Sequence, residues 1–138
     1  MRILLSFLAI PVLLGTACTP TARELEQQAT AEAGTQAAIA REVAGLVPGR
    51  PQDCVTLTQV RESRTFGDTV IYRGVGGTRY VNRTGGGCGQ ASDAYLVTRT
   101  PGTQLCRGDI ATAVDRTSQF PVGSCAFGEF VPYAPPRR

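Results

Sequence analysis

"DTVIYRGVGGTRYVN", residues 68–82, decides the fold. Two runs rich in β-branched and aromatic side chains, Thr69 to Arg73 and Thr78 to Asn82, flank a glycine-rich centre at Gly74 to Gly77. Such runs favour extended backbone and the glycines let the chain reverse, so the stretch predicts a β-hairpin. The same texture continues outward. "CVTLTQV" alternates by twos, with Val55, Leu57 and Gln59 on one face and Thr56, Thr58 and Val60 on the other. "TGGGCGQ" is a loop, and "AYLVTRT" is a strand closed by the turn signal Pro101-Gly102. "DIATAVDRT" is a strand that puts Ile110, Thr112 and Val114 on one face, and "GSCAFGEFVPY" is the last. About six short strands predict a mainly β domain over residues 52–134, a small antiparallel sheet curled or closed into a barrel.

So small a core gains from cross-links, and the cysteines offer them. The chain has five, an odd number. Cys54, Cys88, Cys106 and Cys125 lie in the β domain and read as two disulfides of an exported protein. Three pairings exist. The preferred one joins Cys54 to Cys125, tying the opening strand to the closing one, and Cys88 to Cys106, pinning two glycine-rich loops. A four-cysteine zinc site is disfavoured, because no two of these cysteines are closely spaced.

Upstream the composition changes. Residues 21–47 are rich in Ala, Glu and Gln and hold neither Pro nor an aromatic ring, which predicts one N-terminal α-helix. Thr21 as N-cap and Glu24 form a capping box, and Pro48-Gly49-Arg50-Pro51 stops the helix. Leu25, Ala29, Ala33, Gln36, Ala40, Val43 and Val47 share one face. That stripe is thin, so the helix is expected to act as a spacer, with residues 18–51 forming spacer and linker. Residues 135–138 form a C-terminal tail.

The fifth cysteine has a different context. Arg2 precedes an apolar run from Ile3 to Leu14, and small residues lead into Cys18 in "LGTAC". A run of twelve residues is too short for a hydrocarbon core that needs ~20. Residues 1–17 therefore read as a signal peptide. "LGTAC" resembles the lipobox of bacterial lipoproteins, in which the cysteine is lipidated. Thr19 rather than Asp follows it, which by resemblance to enterobacterial sorting points to the outer membrane.

The remaining charge is balanced. Without Arg2 the chain carries 13 Arg against 11 acids, scattered along its length. A nucleic-acid binder needs a concentrated basic surface, so that class is set aside. There is no His and no Lys, which removes the usual neutral-pH base, His metal ligands and Schiff-base chemistry. Neither a metal nor another cofactor is expected. Asp53, Glu62, Asp68, Asp93, Asp109, Asp115 and Glu129 are the acids left for a glycosidase-like pair, and none sits in a motif. "LCRGDI" contains Arg107-Gly108-Asp109, which reads as a turn in which Gly108 takes positive φ and Asp109 satisfies a loop N–H.

"DCVTLTQVRESRTFGDTVIYR", "RYVN", a cysteine-bearing loop, "LCRGDI" and "GSCAFGEFVPY" resemble a family of small exported four-cysteine proteins of proteobacteria, a domain of unknown function. The likeness covers residues 53–133. It carries over Cys54, Cys88, Cys106 and Cys125, with Asn82, Asp109, Gly128 and Pro132. It implies the β fold and the disulfides and nothing catalytic.

The expected function is that of a non-enzymatic envelope lipoprotein facing the periplasm. It would be attached to the membrane through Cys18 and play a binding or structural role toward another envelope protein or glycan. The alternative is an inhibitor of an exogenous hydrolase such as lysozyme, because "GGTRY" is faintly similar to a loop of small lipid-anchored inhibitors. Arg79, Tyr80 and Asp109 are the candidate binding residues.

Overall fold

The computed structural model describes residues 20–89 and 94–137. The signal-peptide and lipobox readings, Cys18 among them, lie outside the described residues, as does Asp93. Helix α1 (Ala22–Glu42) precedes β1 (Val47–Pro48), β2 (Cys54–Thr56), β3 (Val60–Phe66), β4 (Thr69–Gly74) and β5 (Arg79–Arg83). Then follow β6 (Ala94–Thr98), β7 (Gln104–Cys106), β8 (Ile110–Asp115), β9 (Pro121–Ala126) and β10 (Phe130–Ala134). The fold is mainly β and wholly antiparallel in its pairings, with the one helix at its start.

The hairpin of residues 68–82 is β4 and β5, joined by a tight turn in which Gly76 and Gly77 take φ of 68° and 79°. It is the centre of a five-stranded sheet ordered β1-β10-β5-β4-β3. Two smaller sheets complete the domain, β2-β7 and β6-β8-β9.

Two expected strands divide differently. "CVTLTQV" is not one strand, because a 3-10 turn at Leu57–Gln59 separates β2 from β3 and sends them to different sheets. "GSCAFGEFVPY" is two strands, β9 and β10, split at Phe127–Glu129 and likewise placed in different sheets.

Side-chain alternation gives the five-stranded sheet two covered faces. On one, Val70, Tyr72, Asn82 and Phe130 turn inward toward Val55, Leu105, Ala111, Cys125 and Phe127 from the smaller sheets and their loops. The rings of Tyr72, Phe127 and Phe130 meet at centroid distances of 6.0–6.2 Å in tilted pairs, a favourable arrangement for aromatic quadrupoles. On the other face the row Arg64, Ile71, Val81 and Val131 runs across four strands. Ile71 is fully buried there although it lies outside the main core.

What covers Ile71 is the second half of α1. Its half-buried residues are Thr35, Ala38, Ile39, Glu42 and Val43, a three-and-four spacing that defines a docked stripe. Ile39 and Val43 stand over Val81, Val131 and Tyr133. This stripe shares only Val43 with the expected one. Leu25 is exposed, as is every residue from 20 to 34. The capping box forms, with Thr21 Oγ1 accepting from the Glu24 N–H and the Thr21 N–H donating to the Glu24 carboxylate. The helix ends at Glu42, five residues before the expected stop at Val47. The chain turns through Gly45 at φ 76°, and Val47 and Pro48 become β1 beside β10.

The disulfides are Cys54–Cys106 and Cys88–Cys125, not the preferred pairing. The opening strand β2 pairs with β7 rather than with the end of the chain, which brings Cys54 directly opposite Cys106 with Cα atoms 4.0 Å apart. The strand that does end the domain, β10, holds no cysteine. Cys125 sits on β9, and the glycine loop before Cys88 runs along that strand, with the Gly85 N–H donating to the Ala126 carbonyl. Cys88 and Cys125 are buried, whereas Cys54 and Cys106 are half-exposed.

Candidate functional site

The strand β8 carries apolar residues on both faces. Ala111 and Ala113 point into the core and are buried. Ile110, Thr112 and Val114, the face legible in the sequence, point away from it. Small alanines fit the inner face because the aromatic rings of Phe127 and Phe130 already fill the core. The outer face is shared with Val97, opposite Thr112 on β6, and with Pro121, opposite Val114 on β9. Together these residues line a shallow groove of about 590 Å³, with Arg99, Gly108 and Asp109 completing its lining. Ile110 is 57% exposed, and Phe120 and Val122, on either side of Pro121 in the chain, are 70% and 44% exposed. An apolar groove with a large exposed side chain such as Ile110 marks an interaction site more often than scattered apolar residues do.

Asp109 is fixed at this groove by its own turn. Gly108 takes φ 87°, the Asp109 N–H donates to the Cys106 carbonyl, and Asp109 Oδ2 accepts from the Cys106 N–H at 2.8 Å. The Arg107-Gly108-Asp109 triplet is thus a closed turn beside a disulfide. Arg107 reaches Glu129 at 2.9 Å and Asp53 at 3.9 Å.

Arg79 and Tyr80 are not brought to Asp109. They begin β5 in the other sheet, on opposite faces of it. Arg79 Nη1 donates to the Gly77 and Thr78 carbonyls of the hairpin turn, and Tyr80 packs against the core. Both hold the turn in place. Asn82, carried over from the resemblance, is fully buried and has a structural role. Its Nδ2 donates to the Gly128 and Glu129 carbonyls, and its Oδ1 accepts from the Gly128 N–H. A Cβ on Gly128 would lie 2.4 Å from the Arg83 carbonyl oxygen, so the chain can pass there only as glycine.

Each described domain acid has a neighbour that uses its charge. Glu62 contacts Arg64 and Arg73, and Glu42 contacts the same two arginines. Asp68 accepts from the Gly89 N–H, and Asp115 accepts from the Thr117 and Ser118 N–H groups and the Ser118 hydroxyl. The hydrogen bond from Arg64 holds Glu62 below the ordinary glutamate range, and the Ser118 N–H does the same for Asp115. A general acid needs a displacement in the opposite direction. Burial pushes the Tyr72 hydroxyl well above its usual range, so it stays neutral in the core. Among the described residues no group of three or more Cys, Asp or Glu is placed to hold a metal ion.

No family model, curated protein or solved structure matches this chain.

Proposed function

We propose that this chain is a non-enzymatic binding module of the cell envelope, akin to the exported four-cysteine family and tethered to the membrane by lipidated Cys18. The outer face of β6, β8 and β9 is its contact surface for another envelope protein or glycan. The observation that carries the reading is the apolar groove lined by Val97, Ile110, Val114 and Pro121, in which Ile110 is the most exposed of the large apolar side chains. Leaving such side chains in water is costly, at ~25 cal/mol per Å² of apolar surface, and a partner removes that cost. Two further features support the setting. The four domain cysteines are all committed to disulfides, which persist in an oxidising compartment and leave Cys18 free for another use. The acids serve turns and ion pairs, which favours binding over catalysis.

The test uses the full chain in its native envelope with a photo-crosslinking residue at Ile110, and at Leu25 as a control. Ile110 is expected to yield one dominant adduct and Leu25 none. Absence of any Ile110 adduct, or an equal pattern at both sites, removes this surface from the function. Cys18→Ser should abolish fatty-acid labelling and release the protein from membranes, and unchanged labelling would refute the tether.

A further inference from the structure

The five-stranded sheet has two ends, and they are built differently. At one end β1 is only two residues long and includes Pro48, which lacks an N–H. Short edges with proline are a common way to stop further pairing. At the other end lies β3, seven residues long and exposed from Arg61 to Thr65 on both faces. Among the described residues, no backbone hydrogen bond outside the β3–β4 ladder involves residues 61–66. An open edge of this length presents a row of N–H and C=O groups to any strand that fits it.

We propose that β3 pairs with β3 of a second copy of this chain, antiparallel about a two-fold axis at Ser63. The charge order selects both the partner and the register. In "VRESRTF" an antiparallel pairing centred on Ser63 sets Glu62 opposite Arg64 of the second copy and Arg64 opposite its Glu62. Opposite charges on directly facing residues stabilise antiparallel pairs, and like charges destabilise them. Centring on Arg64 would set Arg64 against Arg64, and centring on Glu62 would set Glu62 against Glu62. Only the Ser63 register is self-complementary.

The side chains are available for this. Arg64 and Glu62 are 51% and 47% exposed and already lie 3.1 Å apart within one chain. Glu42 and Arg73 bind the same pair from behind, at 3.3 Å to Arg64 and 3.2 Å to Glu62. Pairing two copies would extend this network across the axis. The contact is isologous and uses up both open edges, so it closes at two copies instead of running on as a fibre. The register shift between Val60 and Glu62 leaves Arg61 bulged and shortens the ladder, which makes the association reversible.

The test is sedimentation of the full chain in detergent, with micelles in large excess over protein. Wild type should form dimers in a concentration-dependent manner. E62R alone sets arginines against arginines, R64E alone sets glutamates against glutamates, and each should weaken self-association about tenfold or more. An equimolar mixture of E62R and R64E copies restores two opposite-charge pairs, so it should dimerise about as well as wild type. Loss of fold in either variant could not be rescued by mixing. A wild type that stays monomeric at every concentration, variants that self-associate as wild type does, or a mixture without rescue each overturns the proposal.

Discussion

Asn82 shows how one side chain can hold two sheets together. It lies on β5, yet all three of its hydrogen bonds go to Gly128 and Glu129, in the turn where the chain leaves the three-stranded sheet for β10. Asn82→Ala leaves the half-buried N–H and carbonyl of Gly128 without these partners. An unsatisfied buried polar group costs ~1–3 kcal/mol. At ~4–8 °C per kcal/mol for a domain of this size, the thermal midpoint should fall by at least several degrees. Asn82→Asp should cost more than Asn82→Ala, because a carboxylate would face two carbonyl oxygens and offer them no N–H. Calorimetry of both variants decides this, and an aspartate variant as stable as wild type would refute the assigned role. Sequence alone could mark Asn82 only through the family resemblance. No spacing rule links it to Gly128, 46 residues away.

At the scale of elements, docking of α1 divides the helix into two halves with different consequences. Ile39 and Val43 sit over the sheet, while Leu25 is exposed. Ile39→Ala with Val43→Ala should therefore cost ~1–2 kcal/mol for partial burial of these side chains. Leu25→Ala should stay within ~0.5 kcal/mol. Thermal midpoints of the two variants measure the difference, and equal shifts would mean that the helix does not rest on Ile71. The ion network at its end is sensitive to acid. Glu62 is held below the ordinary glutamate range by Arg64, so its contribution is complete above the unfolded-state pKa and is lost as pH falls through the lower folded value. NMR titration of Glu62 should give a midpoint below that of an ordinary glutamate, and Arg64→Ala should raise it. The sequence disclosed these elements unevenly. The hairpin of residues 68–82 was legible because its strands are adjacent in the chain and its turn is rich in glycine. The strand β3 was not, because "RESRTF" has no apolar alternation. It is an edge, wet on both faces, and nothing about it requires a buried side. The docked helix stripe was hidden for the converse reason: Ile71 sets it, and Ile71 lies in another element. For the candidate site, the alternation of Ile110, Thr112 and Val114 was visible. Which face of β8 meets water was not, because Ala111 and Ala113 on the other face are apolar too.

At the scale of the whole molecule, the two disulfides join different parts of the fold and differ in access. Cys54–Cys106 spans 52 residues and Cys88–Cys125 spans 37, so in the chain-entropy account each stabilises by ~4 kcal/mol. That is a large share of the ~5–15 kcal/mol typical of a folded domain, and loss of both should unfold this one. They should not be lost together. Thiol–disulfide exchange requires the attacking thiolate to reach a sulfur in line. Cys54 and Cys106 are half-exposed on the two-stranded sheet, whereas Cys88 and Cys125 lie within the core beside Ala111 and Phe127. Reaching the second bridge requires the glycine loop to lift away from β9, and that breaks the Gly85 N–H bond to Ala126. Graded reduction of the folded protein, followed by alkylation and mass spectrometry, should label Cys54 and Cys106 first. Cys88 and Cys125 should follow only as the tyrosine fluorescence of the fold is lost. Labelling of all four at one rate, or of Cys88 and Cys125 first, would show that the buried bridge is reached without opening the core.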